Sequence, residues 1–562
     1  MLYQFVRRLQ QQAGSRLIDP RHVNIDVFDR QPVAGPGFPH NEHFVQPHHI
    51  TNMCAGEMSV IYSRPGDFVE WVESRHSDLV ERFPAYRGIL CDPAYHQNGC
   101  SHYPRALMGE YLKARFQDAL RIAEGLGTRV VVHTECEITR ITQDTADLTL
   151  QAQFRERGST IRFSVDKALL ATGHWPRTGS ACSGYFPTPW PAHRLMEKIP
   201  PGAAVAVIGS SLSAIETALT LTSDGRFIRA ESGHLTFEPS SKPRRVTLLS
   251  RHGLLPRVRS RISQYQPLYF TQENLRDLLT KQAGSLDLDT IFHLLDRELT
   301  VAAEQMVDWR TVVSPPGSPM SLLESDLRQA RSNGDRCGGV LWQSILRQIL
   351  PMVRELYLAL SASERKRFDR NYATLFFAHA ATQPPVNAEK VLALMRAGVL
   401  EIIKLGTDYQ LNRKAIGQGY EFTYGTGEAS VAAFRYVVDA RGQERSVRTD
   451  SSPLTRNLIQ NGTIHLRGNQ DEESGGIDIA APLSGETAKR SDESVWIDPD
   501  SHRIMQISHS GTTSRSKKLY AIGAMTRGQI IDVSMAKALT RSTDCVAGQL
   551  MDWLADNRHH RE

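Results

Sequence analysis

The stretch V-A-V-I-G-S-S-L-S-A-I-E-T-A-L-T-L, running from Val205 to Leu221, decides the fold. Val205, Ala206, Val207 and Ile208 form a short apolar run of the kind that makes a strand buried on both faces of a parallel sheet. Gly209-Ser210-Ser211 then turns the chain, and Ala214, Ile215, Ala218 and Leu219 return at helical spacing. The pattern predicts a strand, a phosphate turn and a helix. Gly209 permits the tight turn, the small Ser211 lets a pyrophosphate approach the backbone, and Ala214 lets the helix pack on its strand. Free N–H groups and a partial positive charge at the helix N-terminus suit a phosphate. An ordinary strand-to-helix turn shares this pattern, so the reading depends on its surroundings.

Upstream, the chain gives strands at Val130 to His133, Leu148 to Phe154 and Ile161 to Val165, with a turn at Gly158, and then K-A-L-L-A-T-G from Lys167 to Gly173. Downstream, a strand from Leu400 to Leu405 precedes a hairpin of Tyr420 to Tyr424 with Ala432 to Val438, ending in V-V-D-A-R-G at Gly442. The same order of elements occurs twice. It implies two dinucleotide-binding units, one nested in the other. The fold class expected is therefore α/β, with two nested Rossmann-like domains and a helical insertion.

The second unit has its glycine turn at Gly209. The first should carry one just before a helix such as that marked by Leu2, Phe5, Val6 and Leu9, yet Met1 opens directly on that helix. We expect the chain to lack about 15 to 25 residues bearing the first strand and its G-x-G-x-x-G loop. The strand Val23 to Phe28 ends in Asp29, an acid placed to accept hydrogen bonds from an adenosine ribose, although a solvated turn aspartate looks the same. The loop P-V-A-G-P-G-F (Pro32 to Phe38) follows, and then H-I-T-N-M-C-A-G-E-M-S (His49 to Ser59), whose Asn52 among small residues and methionines suits a loop against a flat ligand or a buried turn. Helices are expected from Asp67, from Tyr103-Pro104-Arg105 to about Leu126, and over most of Phe270 to Leu394. Within the last, Ser361 to Glu364 is a capping box and Pro384-Pro385 opens a helix. A buried strand from Leu519 to Ala524 and a helix from about Val533 close the chain. The expected division is 1–178 and 443–562 for the first dinucleotide-binding domain and 179–442 for the second, with the insertion at about 260–395.

The 562 residues, with 40% apolar and 23% charged content, describe a globular protein large enough for several domains. A net charge of +5, not gathered into a stripe, gives no reason to infer nucleic acid. The seven cysteines lack C-x-x-C or zinc spacing, and the pairs His48-His49 and His559-His560 have no third ligand at a telling distance, so no metal is expected. The sequence has no run of 18 apolar residues, and Arg7-Arg8 stand where a signal peptide needs its apolar core. These features predict a cytoplasmic protein with no membrane partner.

Taken in order, I-T-N-M-C-A-G-E-M-S, Y-P-R with G-E-Y-L, A-T-G-H, P-T-P-W-P, V-I-G-S-S-L-S-A-I-E, L-S-R-H-G-L-L-P-R and L-Y-A-I-G-A span the chain from end to end. This ordered set resembles the bacterial FAD/NAD(P)-binding proteins that include FAD-dependent urate hydroxylases and aspartate N-monooxygenases, distant relatives of the ornithine and lysine N-hydroxylases. The resemblance implies FAD on the first unit, with Asp29 at its ribose, Asn52 and Met53 along the ring, and Arg105 near phosphate or ring edge. Thr172-Gly173, at the domain crossing, would also bind cofactor, and Gly523-Ala524 would face the isoalloxazine. NADPH would use Gly209, Ser211 and Ala214 for its pyrophosphate. Ser250 and Arg251 would meet the 2′-phosphate, a place where an acid would favour NADH.

The implied activity is NADPH-dependent monooxygenation with O₂, through a flavin hydroperoxide, of a small nitrogen-containing metabolite. An amino acid is the first expectation and a purine the second. The resemblance fixes no catalytic residue. Arg257 and Arg259 are candidates to clamp a carboxylate, or else are solvated. Two further readings stay open: an NAD(P)H-dependent flavin reductase or oxidase, and an inactive dinucleotide-fold binding protein. A homo-oligomer is also left open.

Overall fold

The computed structural model describes residues 1–13, 18–96, 100–143, 147–155, 158–175, 184–231, 233–260, 265–281, 286–331, 341–414, 419–425, 429–442, 446–467, 493–508 and 510–558. Cys182, Cys337, Gly475-Gly476 and His559-His560 lie outside them.

Helix α1 (Leu2–Gln12) leads to β1 (Asn24–Phe28), and α2 (Arg105–Gly125) leads to β2 (Arg129–His133). The two strands pair in parallel, Asn24 opposite Arg129 and Phe28 opposite His133. Helix α1 buries Phe5, Val6 and Leu9 against Ala119 and Ala123 of α2, the stripe its spacing predicts. An antiparallel meander follows: β3 (Cys136–Gln143), β4 (Leu148–Phe154) and β5 (Thr160–Val165). The chain then enters β6 (Ala168–Leu170) and leaves through Thr172-Gly173.

The second lobe is a five-stranded, wholly parallel sheet. It contains β7 (Tyr185–Phe186), β8 (Ala204–Ile208) and, after α3 (Leu212–Leu221), β9 (Arg245–Ser250). Alternate residues of β8 serve opposite faces, as the strand period requires. Val205 and Val207 pack with Ala214, Ile215 and Ala218 of α3, while Ala206 and Ile208 join Tyr420 and Phe422 of the second meander.

A helical insertion then leaves this sheet: α4 (Leu288–Ala303), α5 (Pro319–Arg331), α6 (Leu341–Ile349), α7 (Ala373–Ala380) and α8 (Pro385–Arg396), with further helices between. Ser361 caps its helix by accepting from Glu364 N (3.3 Å), but Glu364 does not complete a capping box. Its Oε2 instead accepts from Leu288 N at the start of α4 (2.8 Å).

The chain returns through β10 (Leu400–Lys404), a second antiparallel meander of β11 (Gln410–Arg413), β12 (Tyr420–Tyr424) and β13 (Ser430–Phe434), and the parallel strand β14 (Tyr436–Asp439). The expected strand from Ala432 to Val438 is thus two strands divided at Arg435. The first part pairs with β12, whereas Val437 and Val438, fully buried on both faces, continue into the parallel sheet beside β8. Finally β15 (Arg503–Ile507) and β16 (Thr513–Ala521) form a sheet in which β16 runs parallel to β6, Leu519 opposite Ala168, and α9 (Ala536–Arg558) packs on α1 through Ala547 and Met551.

One core joins Ile141, Leu148 and Leu170 to Leu519, Ala521 and Met525. The second lobe is therefore inserted within the first, and the repeated order of meander followed by parallel strand, legible in the sequence, is present in both. No helix among the described residues is long and apolar enough to cross a membrane.

Candidate functional site

In the second lobe, Gly209 follows β8 with φ +119, and a Cβ there would lie 3.1 Å from Ala440 O. Glycine is required on both counts. Ser211 is the N-cap of α3, is exposed, and makes no capping hydrogen bond through its side chain, so its hydroxyl is not used in holding the helix start. Ala214 is fully buried against the strand. Ser250 ends β9 and accepts from Gly253 N (3.1 Å), holding the next turn. Arg251 is exposed and donates to Thr374 Oγ1 of α7 (2.8 Å). This arrangement fits a dinucleotide laid across the carboxyl ends of β8 and β9.

In the first lobe, Asp29 directly follows β1. Its Oδ1 accepts from Gln31 N (2.9 Å), and burial raises its pKa above the ordinary carboxylate value. Thr172 Oγ1 is buried with no partner among the described residues, and Gly173 beside it is exposed with φ +70 and open space where a Cβ would stand. Gly523 begins a short turn of helix after β16, also at positive φ (+72), with Thr526 Oγ1 donating back to its carbonyl (2.8 Å). An unpartnered hydroxyl and bare glycine backbone at the ends of parallel strands fit the close approach of a second dinucleotide.

Two motifs that sequence reasoning treated separately prove to be neighbours. Thr51 N donates to Tyr103 O (2.8 Å), Arg105 N donates to His49 O (2.7 Å), and Ile50 bridges Pro104. Asn52 and Met53 are half-buried on this crossing. The Arg105 guanidinium is directed elsewhere: its Nε donates to Glu216 Oε1 of α3 at 2.6 Å. The loop Pro32 to Phe38 lies on α2, where Gly109 is obligatory because a Cβ would meet His40 O at 2.1 Å.

Arg257 and Arg259 part company. Arg257 Nε donates to Asp326 Oδ2 (2.6 Å) and its Nη2 to Oδ1 of the same carboxylate, so that carboxylate already takes both arms of its fork. Arg259 is not solvated: it is 7% exposed, its Nη1 lies 3.9 Å from Glu57 Oε2, and its Nε has no partner among the described residues. Arg347 of α6 donates to the same Glu57. Sequence reasoning weighed His48 and His49 only as metal ligands and passed over His40 and His102, all of which are buried imidazoles here. His48 and His49 both meet the Thr220 hydroxyl through Nε2 (3.1 and 2.8 Å). Burial lowers the pKa of His48 to about 4 and those of His40 and His102 to about 3, leaving all three neutral at pH 7.

Residues 3–175 match the family model described as FAD-NAD(P)-binding. The match identifies an FAD/NAD(P)-binding domain in the N-terminal part of the first lobe, from α1 through β6. That finding bears out the FAD/NAD(P)-binding class and the cofactors expected from the sequence. Among curated proteins, the chain is similar to the uncharacterised protein YdhS of Escherichia coli (strain K12), 25% identical over 464 residues covering 79% of this chain and 81% of that one. It is also similar to a nitrosuccinic acid synthase of Aspergillus oryzae, 24% identical over 461 residues covering 68% and 69%. Among solved structures, the reduced form of ornithine hydroxylase from Pseudomonas aeruginosa superposes with a TM-score of 0.51 at 13% identity, covering 99% of this chain and 96% of that one. The likeness to the hydroxylase establishes the shared fold, two dinucleotide-binding lobes with an insertion.

Proposed function

We propose that this chain is an FAD- and NADPH-dependent monooxygenase that hydroxylates a small nitrogen-containing metabolite. The observation that carries the reading is the contact that the helical insertion makes with the first lobe at Glu57. Arg347 of α6 reaches Glu57, and Gln343 of the same helix donates to Val258 O (2.6 Å) and accepts from Ser260 N (3.1 Å). The insertion thereby reaches the Thr51 to Glu57 loop at its Glu57 end, and an oxygen-transferring enzyme needs an element placed beside its reacting centre to limit water.

In this reading 1–178 and 443–562 form the FAD domain and 179–442 the NADPH domain. FAD is held by Asp29, Thr172, Gly173 and Gly523-Ala524, with Asn52 and Met53 along its ring. NADPH is held by Gly209, Ser211 and Ala214, with Arg251 toward the 2′-phosphate. The bound cofactors supply hydride transfer and oxygen activation, while the protein's share is orientation and exclusion of water. Arg259 and Arg347 converge on the single carboxylate of Glu57, and the two cations leave this place a positive character suited to the carboxylate of an amino acid, whose amine would be the oxygen acceptor. The names of the two relatives, a nitrosuccinic acid synthase and an ornithine hydroxylase, agree with nitrogen oxidation.

The test is to reconstitute the purified protein with FAD, follow NADPH oxidation under air with a panel of amino acids and purines, and quantify hydroxylated product. The reading expects one substrate to give product in near one-to-one ratio with NADPH consumed. NADPH oxidation that yields only hydrogen peroxide with every compound overturns it in favour of a reductase or oxidase.

A further inference from the structure

The crossing that brings the two motifs together also brings two thiols into contact. Ala55 N donates to Ser101 O (2.9 Å) and Thr51 N to Tyr103 O, so Cys54 and Cys100 meet across the paired segments and their side chains hydrogen-bond. Cys100 is buried, and its Sγ lies 3.4 Å from His102 Nε2. Cys54 keeps a partial opening to solvent. The positive charge of Arg259 acts on both sulfurs, and its buried Nε has no partner among the described residues. None of these groups is needed to hold either dinucleotide.

The two sulfurs are unequal. The hydrogen bond from Cys100 is the largest influence on Cys54 and brings its pKa down to about 6, while the same bond, together with burial, drives the Cys100 pKa far up. At neutral pH Cys54 is a thiolate and Cys100 a thiol that donates to it. An accessible thiolate beside a protonated, shielded thiol is the division of labour that thiol–disulfide exchange requires.

We propose that Cys54 and Cys100 form a redox thiol pair that reacts with low-molecular-weight disulfides, Cys54 attacking and Cys100 resolving. The Cys54 thiolate attacks one sulfur of the small disulfide, whose S–S bond breaks, and one small thiolate leaves. Cys100 then gives its proton to a departing small thiolate while its sulfur attacks Cys54 Sγ and expels the second half of the co-reactant. The products are the Cys54–Cys100 disulfide, one small thiol and one small thiolate. Two electrons have passed from the protein to the disulfide, and charge and protons balance.

The experiment incubates the reduced protein with glutathione disulfide and maps its cysteines by mass spectrometry without reduction. The expected product has lost two hydrogens and yields a peptide linking Cys54 to Cys100. The Cys100→Ser variant should stop at a glutathionyl adduct on Cys54, and Cys54→Ser should leave Cys100 unmodified. The result is overturned if adducts form only at other cysteines such as the exposed Cys91, with Cys54 and Cys100 left unlinked, or if Cys100 is modified in Cys54→Ser.

Iodoacetamide alkylation of Cys54 against pH, in a Cys91→Ser background, supplies a second measurement. Cys100, Glu57, Arg259 and Tyr103 act on the reacting sulfur, and His102 lies against Cys100. A midpoint near 6 that moves upward in Cys100→Ser supports the pair, and a midpoint unchanged by that substitution overturns it.

Discussion

Arg105, the first residue of α2, donates from Nε to Oε1 of Glu216 in α3 at 2.6 Å, tying the first lobe to the helix that follows the glycine turn of the second. Glu216 is 3% exposed, and its other oxygen has no partner among the described residues. Burial raises its pKa and Arg105 opposes that rise. A carboxyl whose folded pKa exceeds its unfolded value of 4.5 binds more protons when folded, so its ionisation subtracts stability as pH rises above that value. Arg105→Leu removes the opposing charge. It should cost about 3–5 kcal/mol at pH 8, the range for breaking a buried pair, and distinctly less at pH 5. Adding Glu216→Gln should recover much of the loss and flatten the pH dependence. Urea unfolding of the three variants at the two pH values checks the sign and the recovery.

Gly209→Ala places a Cβ 3.1 Å from Ala440 O at a backbone φ of +119. The strain should cost about 1–3 kcal/mol of stability and push the turn away from any pyrophosphate on α3. Titration should show weakened NADPH binding with FAD binding nearly unchanged. Equal weakening of both would mean that the turn does not serve one cofactor selectively.

How much of this was legible in the sequence follows from the range of each interaction. Strand β8 and helix α3 announce themselves because Val205 to Ile208 are buried on both faces and Ala214 to Leu219 keep helical period, both of which are local patterns. The duplicated meander was legible for the same reason. Strand β3 escaped notice because C-E-I-T-R-I-T-Q buries only Cys136 and Ile141 fully and follows a turn in which Glu135 takes φ +50. The site's polar partnerships were out of reach. Arg105 to Glu216 spans 111 residues and Arg347 to Glu57 spans 290, and nothing in the local pattern of either residue names its partner. Cys54 lay inside a motif singled out in the sequence, but its contact with Cys100 exists only because Thr51 to Ala55 and Ser101 to Tyr103 pair.

Arg251→Glu tests the assignment of the second cofactor. Arg251 is exposed and ends at Thr374, so its replacement should leave stability within about 0.5 kcal/mol of the parent. A carboxylate there repels a 2′-phosphate and accepts from a 2′-hydroxyl. The preference for NADPH over NADH should fall by about 10- to 100-fold, the range for a charge-assisted hydrogen bond. Steady-state kcat/KM with each nucleotide measures the change, and an unaltered ratio would remove Arg251 from the site.

Thr172→Val separates a cofactor contact from a structural one. The Thr172 hydroxyl is buried and makes no hydrogen bond within the described protein, so exchanging it for an isosteric methyl should leave the apo-protein as stable or slightly more stable, since an unsatisfied polar group is removed. If the hydroxyl pairs with FAD, the FAD dissociation constant should rise by about 3- to 10-fold, the equivalent of one neutral hydrogen bond of about 0.5–1.5 kcal/mol. A large loss of apo-protein stability would instead show that the hydroxyl has a partner within the protein, and the crossing between the lobes would then have no polar group reserved for the flavin.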